Sequence, residues 1–514
     1  MRNQLKWGSI LSYVQMAANV VINLLFTPIM LHLLGTSEYG LYNTVSSTIS
    51  MLSILSLGFN SSYIRYYAKY KAAKDEESIS KLNGLFLMIF VVIGIVALLC
   101  GMFLSFNLDI VFKDGLTAKE YEIARVLMLL LTFNLAISFP SNVFKSIIFA
   151  HERHIFLKVV NMIRTLCGPM VSIPLLLAGF RSITMVSALV FFYLVADFLH
   201  IYYAVAKLKI KITFGRLEKG LFKSLVFYTV FIAINMIVDQ VNWNLGKVIL
   251  GRYKGTTAVS IYAVAYTIST SYNMFSTSIS GVFTPRIHNL ISTAKNVLQI
   301  RERMTSLFVR VGRIQFLILG LVSSGIVFYG KQFITDFWAG KDYAEAYYVV
   351  LLLILPATIP LMQNIGIEIQ RAQNRHQFRS IVYLLMAAVN LTISIIMSKR
   401  YGAVGAATGT ACSLFVANGI IMNIYYHKKC NIDIMLFWKN IIYMLRGLIL
   451  PIIFGIASLY IFNTHTLLGF AAAVLFYTVV YSVSMWFLVM NKSEKTLISV
   501  PAKKILKKIG CVKV

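Results

Sequence analysis

The chain has 514 residues, 58% hydrophobic and 13% charged, with a mean hydropathy of +0.75 and a formal charge of +29. No ordinary soluble domain approaches that balance, which excludes soluble enzymes and disordered chains and selects a polytopic membrane protein. Cys100, Cys167, Cys412, Cys430 and Cys511 show no paired spacing, which argues against a disulfide framework or a metal site.

A helix needs roughly 20 apolar residues to cross a bilayer. By that ruler the chain is predicted to be all-α with about fourteen transmembrane helices. Their limits are 7–33, 41–64, 82–108, 124–149, 156–179, 183–206, 224–250, 256–282, 307–329, 345–369, 380–398, 403–426, 441–462 and 466–490. Loops on the side of the N-terminus carry about 34 Lys and Arg, against about 11 opposite, which places both termini in the cytoplasm. Arg2 and Lys6 precede a first span with no small-residue cleavage site, so it reads as a retained anchor. The positive charge is this inner bias facing anionic lipid, not a nucleic-acid surface. Lys207-Leu208-Lys209-Ile210-Lys211 and the tail Lys503-Lys504-Ile505-Leu506-Lys507-Lys508 read in the same way.

The two halves repeat. Arg153-His154-Ile155-Phe156 recurs as Arg375-His376-Gln377-Phe378, and the same offset, about 222, carries Leu129-Leu130-Leu131 onto Leu351-Leu352-Leu353. An offset near 216 pairs Leu33-Leu34-Gly35 with Ile249-Leu250-Gly251. Each repeat holds six spans, so both copies enter the membrane from one side, as two pseudo-symmetric lobes. The expected organisation is an N-lobe over 1–206, a basic cytoplasmic linker over 207–223 and a C-lobe over 224–427. Spans 13 and 14 follow as an addition over 428–490, then a basic tail over 491–514. Eight of nine prolines lie in or beside spans, where each removes a backbone hydrogen bond and predicts a kink.

Polar side chains at helical spacing mark the interior of the bundle. Span 1 carries Ser12, Gln15, Asn19 and Asn23; span 4 carries Asn134, Ser138, Asn142 or Ser141, and then Lys145; span 7 carries Asn235, Asp239, Asn242 and Gly246. Each set falls on one helix face, either as glue between helices or as the wall of a cleft. The offset of 216 sets Asn19 on Asn235 and Asn23 on Asp239, which favours the cleft. Arg164 and Asp197 lie about 12–13 Å deep on adjacent spans and are expected to pair. Lys247 and Arg446 are expected to snorkel. Asp239, at mid-membrane, suits proton or sodium coupling or a hydrogen bond to an asparagine. Arg65 and Arg286, at the inner ends of spans 2 and 8, could capture phosphate or simply follow the inner positive bias. No cofactor is expected beyond such a coupling ion.

Leu34-Gly35 followed by Glu38-Tyr39-Gly40-Leu41-Tyr42 resembles the bacterial oligosaccharide flippase, or polysaccharide biosynthesis protein, family. So do Gly330-Lys331 with Phe337-Trp338-Ala339-Gly340, and Arg400-Tyr401-Gly402-Ala403-Val404-Gly405-Ala406-Ala407. The resemblance covers essentially the whole chain and implies membership of the multidrug/oligosaccharidyl-lipid/polysaccharide exporter superfamily. It implies two six-helix lobes about a central cavity in the bacterial inner membrane. The implied activity is transfer of undecaprenyl-pyrophosphate-linked oligosaccharide by alternating access, alongside polysaccharide polymerase and glycosyltransferases. The cavity cations it implies are Arg65, Lys145, Arg164 and Arg286. Three rivals stay open: a lipid II flippase, a cation-coupled multidrug exporter motivated by Asp239, and a membrane scaffold. An enzyme is disfavoured because no loop is long enough to fold as a domain.

Overall fold

The computed structural model describes residues 2–497 and 499, except 113–115, 216–220, 282, 284–286, 288–289, 291–295 and 374. Among them every regular element is helical. This is the expected solution in hydrocarbon, where each backbone N–H and C=O must bond within its own segment.

Among the described residues ten helical runs are long and apolar enough to cross a membrane. Two of these, Val14–Ala72 and Gln377–Lys428, each hold a pair of predicted spans. The first pair is parted by a turn at Gly35 (φ 81°) and the second by one at Tyr401–Gly402. Helices Leu221–Gln240, Gly246–Tyr253 and Gly255–Gly281 lie where spans 7 and 8 are expected. The architecture is thus all-α and consistent with fourteen spans.

The breaks do not follow the prolines. Pro28, Pro140, Pro169 and Pro174 sit inside continuous helices. Span 2 instead breaks at Leu57 and Gly58, both left-handed (φ 47° and 75°), between a 3-10 turn at Leu52–Ser56 and a helix over Phe59–Ala72. Gly58 is doubly required there. Its φ suits glycine, and a Cβ would collide with Ile232 of span 7.

Packing divides the chain into two compact units, residues 1–271 with 377–413, and residues 272–376 with 414–514. In the first, the C-terminal half of span 2 packs aromatic rings against span 3. Tyr63 meets Phe86 edge-on at 5.3 Å, and Phe59 meets Phe86 and Phe90 similarly. Such pairs contribute about 0.5–1.5 kcal/mol each beyond area burial. In the second, Tyr329 of span 9 packs against Tyr477 of span 14, and its hydroxyl meets Ser458 of span 13 at 2.5 Å.

The sequence repeat is also a repeat of backbone geometry. After span 4, Arg153 N–H donates to the Ile148 carbonyl; after span 10, at an offset of 222, Arg375 N–H donates to Gln370. After span 6, Leu208 and Ile210 donate to Tyr203 and Ala204. After span 12, Cys430 and Ile432 donate to Tyr425 and Tyr426, again at 222. Lys209 and Asn431, the intervening residues, are both left-handed. Each segment then docks on the start of a span. Asn83 of span 3 donates to the Lys211 carbonyl, and its counterpart Thr305 of span 9 accepts from Asp433 N–H.

The basic linker is therefore not simply laid on lipid. Leu208, Ile210 and Ile212 alternate inward against the aromatic cluster, while Lys207, Lys209 and Lys211 stay exposed. This period of two lets one segment dock and keep its positive face.

Candidate functional site

Both polar clusters of interest lie within the first unit. The first is built by spans 4, 5 and 6. Ser141, Asn142 and Lys145 share one face of span 4. Lys145 Nζ lies 2.7 Å from Asp197 Oδ1, and Ser141 Oγ donates to that same oxygen at 3.0 Å. Asn142 Oδ1 accepts from Lys145 at 3.3 Å. The Asp197 side chain is 5% exposed and that of Lys145 23% exposed. Asp197 is thus a sunk counter-charge under a lysine that still reaches open space. His200, one turn beyond Asp197, is buried and meets Phe156 edge-on.

The expected pairing of Asp197 with Arg164 is corrected. Arg164, half-buried on span 5, stacks its guanidinium 4.1 Å over the Tyr193 ring of span 6. Depth alone did not separate the two cations. Lys145 faces Asp197 on the same side as Ser141, whereas Arg164 finds an aromatic face that its flat guanidinium fits.

The second cluster joins span 7 to span 11. Asn390 Nδ2 donates to Asn242 Oδ1 at 3.0 Å, and Ser394 Oγ donates to Asn390 Oδ1 at 2.9 Å. Gln240 donates to Ser53 of span 2 at 2.9 Å and accepts from Asn244. A π turn at Val241–Leu245 sits at this point, a local widening often found at functional sites. Asp239 is exposed, and Arg379 at the start of span 11 lies within electrostatic range of it. Arg379 donates to the Tyr383 hydroxyl at 2.8 Å, while its Nη1 is buried without a hydrogen-bond partner among the described residues.

The other expected residues fall as follows. Asn19 and Asn23 are half-buried on span 1, and neither hydrogen-bonds another described residue. Asn235 is half-buried and Arg65 exposed. Arg286 lies outside the described residues. Lys247, expected to snorkel, is instead 8% exposed, its ammonium 4.1 Å over the Tyr266 ring.

Sequence reading missed Arg379, Asn390, His200 and the Glu38–Arg181 pair. Asn390 carried a signal, being an amide inside an apolar run. Arg379 carried none, because it reads as one more inner positive residue. Glu38 is 7% exposed, accepts from Arg181 Nε at 2.6 Å and from Ser182 N–H at 2.8 Å, and ties the end of span 1 to the turn before span 6.

Residues 5–291 match the family described as polysaccharide biosynthesis protein. The chain belongs to that family. It is 22% identical over 210 residues to the capsular polysaccharide biosynthesis protein CapF of Staphylococcus aureus, a match covering 40% of this chain and 50% of that protein. The match thus spans about half the length of that curated relative. Among solved structures it resembles a lipid II flippase, MurJ, in an inward closed conformation (TM-score 0.66, 15% identity, 93% of this chain and 97% of that one). It also resembles an inward-facing multidrug resistance MATE family transporter of the MOP superfamily (TM-score 0.59, 14% identity, 82% and 94%). A third is the MATE multidrug transporter DinF-BH (TM-score 0.61, 13% identity, 84% and 96%). At such identities the likeness establishes the fold. The family is thus that of polysaccharide biosynthesis proteins, and the fold is the one shared with these solved membrane transporters.

Proposed function

We propose that the chain moves a lipid-linked oligosaccharide, carried on undecaprenyl pyrophosphate, across the bacterial cytoplasmic membrane by alternating access of two lobes, spans 1–6 and 7–12. The observation that carries this reading is the pair of cations inside spans 4 and 5. Lys145 rests on Asp197 and Arg164 on Tyr193, and both keep part of their surface open. A diphosphate can draw on such cations without the cost of burying a bare charge. Asn19, Asn23, Asn142, Asn235 and Asn242 supply groups suited to sugar hydroxyls, and Asp239 with Arg379 supplies an ion-coupling candidate. Arg65 and Arg286 are candidate phosphate contacts at the cytoplasmic entry. Protein partners of this reading are the polymerase and glycosyltransferases of the same assembly route.

The test is transfer of a lipid-linked oligosaccharide between leaflets of reconstituted vesicles. Arg164→Ala should cut transfer at least tenfold, and Asp239→Asn should remove its dependence on an ion gradient. Wild-type transfer by both folded variants would refute the site. The exposed Asp239 favours one rival, a cation-coupled exporter of organic cations. Drug susceptibility of a deletion strain, with unchanged surface polysaccharide, would establish that rival.

A further inference from the structure

The second unit contains a cavity of about 770 Å³ among the inner ends of spans 9, 13 and 14. One face of span 9 supplies a wall at steps of three and four, with Arg301, Glu302, Ser306, Arg310 and Arg313 among its residues. Asn440 of span 13 and Asn491 and Ser493 beyond span 14 help to close it.

The internal repeat shows what is unusual here. At the offset of 222, Arg310 and Arg313 stand where the first half has Met88 and Val91, which are 52% and 40% exposed on an apolar helix surface. Arg313 is neutralised within the chain. It is 5% exposed, its Nε donates to Glu494 at 2.6 Å and its Nη2 donates to Glu494 and to the Val489 carbonyl. Arg301 lies 3.9 Å from Asp433. Arg310 is half-buried and has no acceptor among the described residues. Glu302 is exposed and likewise has no described partner.

A half-buried guanidinium about one turn inside the apolar part of span 9 calls for an anion at that depth. Inner-leaflet phospholipid is the anion source at that level, and basic pockets between spans on the cytoplasmic side are suited to head groups. The two unmatched charges, one of each sign and two helical turns apart, fit a head group that carries both a phosphate and an ammonium. We propose that this cavity is a binding site for an amine-bearing phospholipid of the inner leaflet, its phosphodiester on Arg310 and its ammonium toward Glu302. The added spans 13 and 14 would then help to seat a lipid on the second half.

The experiment is native mass spectrometry of the full chain in detergent, titrated with phosphatidylethanolamine, phosphatidylglycerol or phosphatidylcholine. The wild type should retain one phosphatidylethanolamine preferentially. Arg310→Met, which restores the residue type of the first half, should reduce that retention about tenfold, the scale of one charged hydrogen-bonded contact. Arg310→Lys should keep most of it, and this variant preserves the test should the methionine variant fold poorly. Glu302→Gln should weaken the preference for phosphatidylethanolamine over phosphatidylglycerol about fivefold. Equal retention by Arg310→Met and wild type would overturn the proposal, as would an unchanged preference in Glu302→Gln. Displacement of the lipid by millimolar inorganic phosphate would identify a free-phosphate site and overturn it as well.

Discussion

The segments that follow spans 6 and 12 make the same turn and dock at the same place, yet the first segment itself walls the cavity beside span 3, whereas residues of and beyond spans 13 and 14 help to wall the cavity beside span 9. After span 6 the chain continues to Thr213, whose N–H donates to Ser80 and whose carbonyl presses on Gly84 so closely that a Cβ would collide. After span 12 it turns away at Asp433, which caps span 13 through Leu436 N–H. The counterpart of Gly84 is the exposed Ser306. Duplication has kept the backbone bonds and released the side chains, so each half shares a frame and differs in charge.

The same contrast holds inside the bundle. Lys145, Arg164, Asp197 and His200 of the first half correspond to Ile367, Met386, Gly419 and Met422 of the second. Asp239 and Arg379 of the second correspond to Asn23 and Leu157 of the first, by the offsets of 216 and 222. Matching positions carry a charge in one half and a neutral side chain in the other, so the two halves differ in charge where they share a frame.

The largest effect should come from Asp197→Ala. It strands the mostly buried Lys145 in a way no change at Gly419 could imitate, at a cost of about 3–5 kcal/mol. Thermal unfolding in detergent should show it, and adding Lys145→Met should restore most of the loss. Next, Val91→Arg would copy Arg313 into the first half without its Glu494. A charge on that lipid-facing position should cost about 2.5–3.5 kcal/mol of insertion free energy, readable as a reduced membrane-inserted fraction. Gly84→Ser would copy Ser306 and should unseat the linker, exposing residues 207–215 to limited proteolysis while span 3 stays inserted.

The smallest difference is in pH response. His151 at the turn after span 4 corresponds to Gln373. Burial first, then the nearby positive charges of Lys71 and Arg153, hold the His151 imidazole below its ordinary 6.5. Its neutral ring bonds the Ile147 carbonyl and the Tyr67 hydroxyl. A depressed histidine contributes fully above the ordinary value, and that contribution fades as pH falls through the lowered one. Corrected for the intrinsic rate, protection against hydrogen exchange should therefore fall between pH 7.5 and 5 at residues 148–153 and not at 370–373. Equal changes in both turns would remove the histidine from the explanation.

The sequence by itself determined the class of the protein, the approximate places of its spans and the presence of a repeat. These are set by local hydropathy and by residue identity at a fixed offset. Leu57–Gly58 as a break in span 2 was not legible, because proline is the usual local signal and the break depends on Ile232 lying across it. The partner of Asp197 was not legible either, since depth can be read from a span but azimuth relative to a neighbouring helix cannot. Tertiary structure alone decided that Lys145 and not Arg164 reaches Asp197, that Lys247 is covered by Tyr266, and that Arg310 is left without a counter-charge among the described residues. Each of these follows from which helix faces meet, a relation between segments distant in the chain that no local pattern encodes.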